Sequence, residues 1–197
     1  TPDVRDPDHR DALLRWLRRW GCRHLRRDDN ALASEALREW GAAWEARLPA
    51  HGVPLDRLGD GEIDALAGAY GALAELPAGF RAARRAPVPV RFGATAAAKA
   101  LYALRPEACP PWDEPIRAHH GWDGSAASYR AALERARSEL AEAAESAGVA
   151  VADLPALIGR PGSSPPRLVD EHDWLRVTRG HEPPAPEELE RWWRSSA

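Results

Sequence analysis

Apolar side chains recur at the spacing of an amphipathic helix along most of this 197-residue chain. The first pattern runs from Leu13 to Trp20. It predicts a helix that begins at Asp6 and ends at Gly21, because aspartate favours the N-cap and glycine favours the end of a helix. Comparable patterns predict further helices over residues 28–48, 63–76, 78–86, 94–104, 112–120, 125–147, 153–158 and 168–178.

The succession of helical patterns, without alternating β-branched residues, predicts an all-α fold with no strand. Since no linker divides the chain, residues 1–197 are expected to form one helical unit. We expect a barrel-like bundle over about 28–150, which includes the segment 88–104. The two terminal segments, 1–27 and 150–197, are expected to form a second, interlocked lobe.

Composition limits the location and the partners. Alanine, leucine, arginine and glutamate dominate, which favours helix. The two cysteines, Cys22 and Cys109, form neither a metal-binding nor a disulfide pattern, so a cytoplasmic location is expected. No segment approaches the roughly 20 apolar residues that span a bilayer. No membrane partner is therefore expected.

The charge of the chain is a weak argument against nucleic-acid binding. The net charge is −3, whereas dedicated nucleic-acid-binding domains are usually basic. Arginines are nevertheless concentrated in the segments 15–27 and 81–91. A local basic patch can bind phosphate on a protein that is acidic overall. Solvated arginines on exposed helix faces are the alternative interpretation.

The most informative segment runs from Val90 to Arg117. A turn at Gly93 opens an alanine-rich helix, and a proline-rich connector then places Asp113 at the start of the next helix. A helix N-terminus has unpaired N–H groups and partial positive charge, which suit a phosphate. A carboxylate just beyond it is well placed to act on the attached sugar. The alternative is an ordinary helix with Asp113 as the N-cap of its neighbour.

This segment resembles the helix-hairpin-helix motif and the following aspartate of the DNA glycosylase superfamily that includes endonuclease III and 8-oxoguanine glycosylase. The second glycine, the alanine, the aspartate and a following arginine of that motif correspond to Gly93, Ala97, Asp113 and Arg117. The first glycine and the threonine are replaced by Arg91 and Ala96. The resemblance implies the helical HhH-GPD fold, a role in base excision repair and DNA as the partner.

The resemblance also implies roles for individual residues. Asp113 would be the catalytic carboxylate, which stabilises an oxocarbenium-like transition state and orients water. The residues implied to contact DNA are Arg91, Gly93, Ala94, Thr95 and Arg117. Bifunctional members use a lysine nucleophile at the position that Thr95 occupies here. The resemblance therefore implies monofunctional hydrolysis.

Two further kinds of side chain are candidates for the same cleft. Lys99 lies one helical turn after Thr95 and on the same face. It could take the role of the missing catalytic lysine. The alternative is a lysine that lies at the surface or contacts a phosphate. Trp112 and Trp122 are predicted to form the base pocket, with Trp174 as a further candidate, because a flipped base stacks on an aromatic wall. Core packing is the alternative for each ring.

Two functional hypotheses follow. The first is a DNA glycosylase-like hydrolase that uses Asp113 to break an N-glycosidic bond in DNA or in a nucleoside-type substrate. The second is a non-catalytic interaction module of the same fold, which binds nucleic acid or protein. Walker, dinucleotide-binding and nucleophile-elbow motifs are absent from the sequence. No metal, no cofactor and a monomeric state are expected.

Overall fold

The computed structural model describes residues 2–25, 30–81 and 86–185, together with Glu187, Glu188 and Arg191. Helices account for 64% of the structure, and one two-stranded sheet is present, so the predicted mostly helical character is confirmed. The α-helices of the described part are α1 (Pro7–Arg19), α2 (Asn30–Trp44), α3 (Asp60–Glu75), α4 (Gly93–Leu104), α5 (Glu114–His119), α6 (Ala126–Ala147), α7 (Leu154–Leu157) and α8 (Pro165–Asp173). Within the described residues, none of these helices combines the length and the apolar character that crossing a membrane requires.

Local sequence signals set several helix ends. The side chain of Asp6 accepts a hydrogen bond from the backbone N–H of Asp8 at 2.8 Å and begins α1, as predicted. Gly148 ends α6 with a φ of +67°, a left-handed conformation that glycine adopts without strain. The predicted start of the second helix at residues 28–29 lies outside the described part of the chain.

The helix α4 lies in the core and contacts both α1 and α3. Its alanines at positions 96, 97, 98 and 100 are fully buried. Such small side chains let the neighbouring helices approach closely. Lys99 belongs to the same helix and is also buried. Because a buried charge is costly without a partner, this lysine needs a counter-charge inside the protein.

The segment before α4 differs from the prediction. The expectation of no strand is wrong, and the helix expected over 78–86 is wrong for residues 78–81, which belong to a strand. The strands β1 (Pro77–Arg81) and β2 (Val88–Arg91) pair in antiparallel fashion, and residues 82–85 between them lie outside the described part of the chain. Prolines on both sides of Val88 fix extended backbone and disfavour helix before them. A strand therefore precedes the turn at Gly93. In the helix-hairpin-helix motif that this segment resembles, a helix stands before the turn.

The last predicted helix, over 168–178, is present as α8 followed by a π-helical segment, Trp174–Thr178. The guanidinium of Arg135 on α6 donates hydrogen bonds to both carboxylate oxygens of Asp173, at 2.7 and 3.0 Å, and holds α8 in place. The terminal segments also meet, since the guanidinium of Arg167 lies 5.1 Å from the ring centre of Trp20. The division into a barrel-like part and a second lobe stays a prediction.

Candidate functional site

The buried charge of Lys99 is paired with Asp113. The Nζ atom of Lys99 lies 2.8 Å from Oδ1 of Asp113 and donates a second hydrogen bond, of 2.9 Å, to the backbone carbonyl of Trp20. The same atom lies 4.8 Å from the centre of the Trp20 ring, within cation–π range. The lysine side chain is 7% exposed and the aspartate side chain 39%. The pair therefore has a buried side and a side that meets solvent.

Asp113 occupies the N-cap position of α5, but its side chain makes no capping hydrogen bond. Its backbone is extended, with φ −109° and ψ 166°, as an N-cap requires. The carboxylate instead turns to Lys99. The alternative interpretation, an ordinary helix cap, therefore holds for the backbone of Asp113 only. Its side chain does not cap α5 and is held instead by Lys99.

A cavity of about 430 Å³ opens beside this pair. The cavity is lined by Trp20, at the end of the first helical segment, and by residues of α8 and the π-helical segment. The lining residues are Trp20, Lys99, Asp113, Arg160, Arg167, Asp170, Glu171, Trp174 and Leu175. Two aromatic rings and a paired carboxylate thus face one enclosed space, which has room for a small planar molecule.

Charged side chains on the α8 wall are linked to one another. Arg167 Nη1 donates to Asp170 Oδ2 at 2.6 Å, and Arg167 Nε donates to Glu171 Oε1 at 3.0 Å. Arg160 Nη2 donates to the same glutamate oxygen at 3.0 Å. Glu171 therefore supplies a counter-charge to both arginines, and the cavity is not simply basic.

Asp170 is the most perturbed carboxyl group of this wall. Burial raises the pKa of its side chain to about 7. The positive charges of Arg167 and Lys99 lower that pKa, whereas the negative charges of Asp113 and Glu171 raise it. Loss of hydration outweighs the adjacent guanidinium, so this carboxyl group holds a proton well above the usual range for aspartate.

A separate space, a groove of about 460 Å³, lies at the start of α4. It brings together every residue for which the sequence predicts DNA contact, namely Arg91, Gly93, Ala94, Thr95 and Arg117. Gly93 has a φ of +71°, as the predicted turn requires, and the next residues present the first N–H groups of the helix. Whether the groove binds DNA stays a prediction.

Three contacts define the walls of this groove. Arg117 Nη1 donates to Thr95 Oγ1 at 3.0 Å. Arg91 forms an exposed ion pair with Glu75, on the preceding helix α3. A ring nitrogen of His24 lies 2.9 Å from the backbone carbonyl oxygen of Phe92 and ties the N-terminal segment to the turn. Thr95 is therefore a hydrogen-bonding residue of the groove.

Asp113 lines both the cavity and the groove. Cys22 lies in the groove wall, and burial raises the pKa of its thiol to about 11. This cysteine is therefore a neutral thiol near pH 7 and a poor nucleophile. Of the groups at the junction of the two spaces, the Asp113 carboxylate is best suited to act on a bound molecule.

The two tryptophans that we predicted for the base pocket lie elsewhere. Trp112 is only 3% exposed and packs edge-on against Tyr70 and Tyr129. Trp122 stacks against His120 and also contacts Trp112. Both rings line a separate space of about 20 Å³, too small for a base. This correction follows from the direction of the connector, which turns Trp112 into the core and Asp113 out of it.

The aromatic rings that do face the cavity are Trp20 and Trp174. Trp20 belongs to the apolar pattern that predicts the first helix and was not predicted for the site, whereas Trp174 was one of three candidates for the base pocket. The charges on α8 were not predicted as part of the site. Their spacing was the available signal, because Arg167, Asp170 and Glu171 share one face of a helix at intervals of three and four residues.

No family model, curated protein or solved structure matches the chain significantly.

Proposed function

We propose that this chain is a DNA glycosylase-like hydrolase that breaks an N-glycosidic bond with the help of Asp113. One observation carries the proposal: the Asp113 carboxylate lines both a cavity with two aromatic rings and a groove at a helix N-terminus. In a bound nucleotide, the sugar lies between the base and the phosphate. The cavity suits the base, the groove suits the phosphate, and Asp113 then faces the sugar.

The chemistry asked of Asp113 is electrostatic. As the C–N bond breaks, positive charge develops on the sugar, and a fixed carboxylate stabilises it. The same carboxylate orients a water molecule for attack on the sugar carbon. As the water attacks, the carboxylate accepts a proton from that water molecule. Lys99 is the positioning residue, since its hydrogen bond holds Oδ1 of Asp113 at the cavity wall.

Lys99 also bears on the choice between hydrolysis and covalent catalysis. Its amine is enclosed by the Asp113 carboxylate, the Trp20 carbonyl and the Trp20 ring, all of which suit an ammonium donor. A nucleophilic amine needs a free electron pair directed at the substrate. We therefore propose monofunctional hydrolysis, and borohydride should trap no covalent complex.

The test is base release from a panel of duplex and single-stranded oligonucleotides that carry uracil, hypoxanthine, 8-oxoguanine or 3-methyladenine. Asp113→Asn should lower the single-turnover rate by at least about 100-fold, the scale expected for a lost electrostatic stabiliser. Asp153→Asn makes the same change at an exposed position outside both spaces and should leave the rate unchanged. Full activity in Asp113→Asn would overturn the assignment.

The groove favours a second candidate, a non-catalytic module that binds nucleic acid through the start of α4. Its distinguishing result in the same panel is binding of oligonucleotides without release of any base. Under that outcome Asp113→Asn would change oligonucleotide binding only through the loss of one negative charge from the groove wall.

A further inference from the structure

The cavity is lined by a second carboxyl group, which belongs to Asp170 on α8. The side chain of Asp170 is 11% exposed and lines the same space as Asp113. Its position is fixed twice. Arg167 holds Oδ2 at 2.6 Å, and the helix that carries it is fastened to α6 through Asp173 and Arg135. Within the described part of the chain, no hydrogen bond reaches the other oxygen, Oδ1.

The two carboxyl groups have different surroundings. Asp113 is partly exposed and accepts a charged hydrogen bond from Lys99. Asp170 is buried, and burial raises its pKa to about 7 even with Arg167 beside it. A partly exposed carboxyl group paired with a lysine and a buried carboxyl group of raised pKa, in one cavity, provide the two environments that glycoside-hydrolysing enzymes use for an anionic stabiliser and an acid.

We propose that Asp170 is the general acid that donates a proton to the departing base, while Asp113 stabilises the sugar cation. This inference rests on the proposed function. The bond between the sugar carbon and the base nitrogen breaks, and its electron pair stays with the base. The base takes the proton of Asp170, which becomes a carboxylate.

Water then completes the reaction. Its oxygen bonds to the sugar carbon, and the proton it loses passes to Asp113 and on to solvent. Solvent returns a proton to Asp170. The overall change is the addition of one water molecule across the C–N bond, with no oxidant, reductant or cofactor.

The protonation state of Asp170 can be measured without any substrate. Carbon-13 labelling of the aspartate carboxyl groups allows their chemical shifts to be followed by NMR between about pH 4 and pH 9, and Asp170→Asn identifies the resonance. We expect one carboxyl group, absent from the variant, to titrate near pH 7. A resonance that titrates below about pH 5 overturns the inference whatever the activity, because such a group is an anion when the reaction takes place.

The acid role itself is tested by the pH dependence of base release under single-turnover conditions, with the same oligonucleotide panel. The wild-type rate should fall above about pH 7. Asp170→Asn keeps the size of the side chain and an oxygen for Arg167, but has no carboxyl proton. We expect it to be about 100-fold slower near pH 6, the lower end for a lost general acid, and insensitive to pH through the alkaline range.

Two further variants separate the possible outcomes. Asp170→Glu should restore the alkaline fall in rate, and Asp153→Asn should match the wild type throughout. An alkaline fall that persists in Asp170→Asn overturns the acid role but leaves Asp113 as the stabiliser. Absence of base release from every probe with the wild-type protein overturns both the proposed function and this inference.

Discussion

The ammonium group of Lys99 is surrounded by three partners, and its environment determines what Asp113 can do. Because the lysine side chain is 7% exposed, the loss of its counter-charge cannot be made good by water. Asp113 is 39% exposed and is hydrated even without the lysine. The charge of Lys99 therefore depends on Asp113 more than the charge of Asp113 depends on Lys99.

This inequality predicts an asymmetry in stability. Asp113→Asn leaves a buried ammonium without its carboxylate and should lower the free energy of unfolding by about 2–3 kcal/mol. Lys99→Met places an apolar chain in the buried site and should cost about 1 kcal/mol or less. The double variant should resemble Lys99→Met. Urea denaturation of the four proteins at pH 7 measures these differences, and equal costs for the two single variants would contradict the buried-charge argument.

Trp174 and Trp122 provide a second comparison at the scale of the residue. Trp174 lines the cavity, whereas Trp122 packs against His120 and Trp112. If a base occupies the cavity, Trp174→Leu should weaken oligonucleotide binding by about 1–3 kcal/mol, the usual value of one base–aromatic stack. Trp122→Leu should lower thermal stability and leave binding intact. Fluorescence anisotropy with a labelled oligonucleotide measures binding, and an unchanged Trp174→Leu would exclude that ring as a stacking surface.

At the scale of the element, helical periodicity predicted long segments well and short ones poorly. α6 was predicted over 125–147 and is found at Ala126–Ala147, with Ser125 as its cap. The strand pair was missed because β1 and β2 have only five and four residues, too few for an alternating pattern. Its stability comes from pairing between strands, and no local propensity shows that.

The attachment of α8 to α6 can be tested through pH. Burial raises the pKa of Asp173, but the hydrogen bonds and charge of Arg135 outweigh it and hold the pKa below its usual range. A lowered carboxyl pKa contributes stability that is complete above the unfolded value of about 3.9 and is lost as pH falls through the folded value. The ion pair therefore stabilises α8 at neutral pH and fails in acid.

Asp173→Asn should accordingly lower the free energy of unfolding by about 2 kcal/mol at pH 7, since a charged, paired acceptor is lost. The difference from the wild type should stay constant down to about pH 4 and shrink below it. Urea denaturation across this range is the measurement, with exposed Asp153→Asn as the control. A difference that grows in acid would show that Asp173 acts in some other way.

At the scale of the whole molecule, the candidate site depends on contacts between distant parts of the chain. The sequence placed Asp113 and the start of α4 near each other because only a connector separates them. It could not show that Trp20 and α8 close the cavity, since the contact of Trp20 with Arg167 joins opposite ends of the chain. Trp20 belongs to the apolar pattern of the first predicted helix, and Trp112 was predicted for the base pocket, whereas the structure places Trp20 at the cavity and Trp112 in the core.

The net charge of −3 sets the expectation for nucleic-acid binding by the whole molecule. A protein of this charge has no long-range attraction for DNA, so binding has to come from local contacts at the groove. Arg91→Glu should weaken binding to all oligonucleotide sequences alike, because phosphate contacts carry no sequence information. The slope of log K against log salt should fall by about one for the lost phosphate contact.

Arg38→Glu is the matched control for this change, because Arg38 is also an exposed arginine paired with a glutamate, Glu35. It lies on α2, outside the groove. Both variants alter the net charge by the same amount, so any general electrostatic effect on affinity will appear in both. A decrease in affinity and in salt dependence confined to Arg91→Glu would place DNA at the start of α4. Equal decreases would mean that overall charge alone governs binding, and the groove would then have no special role.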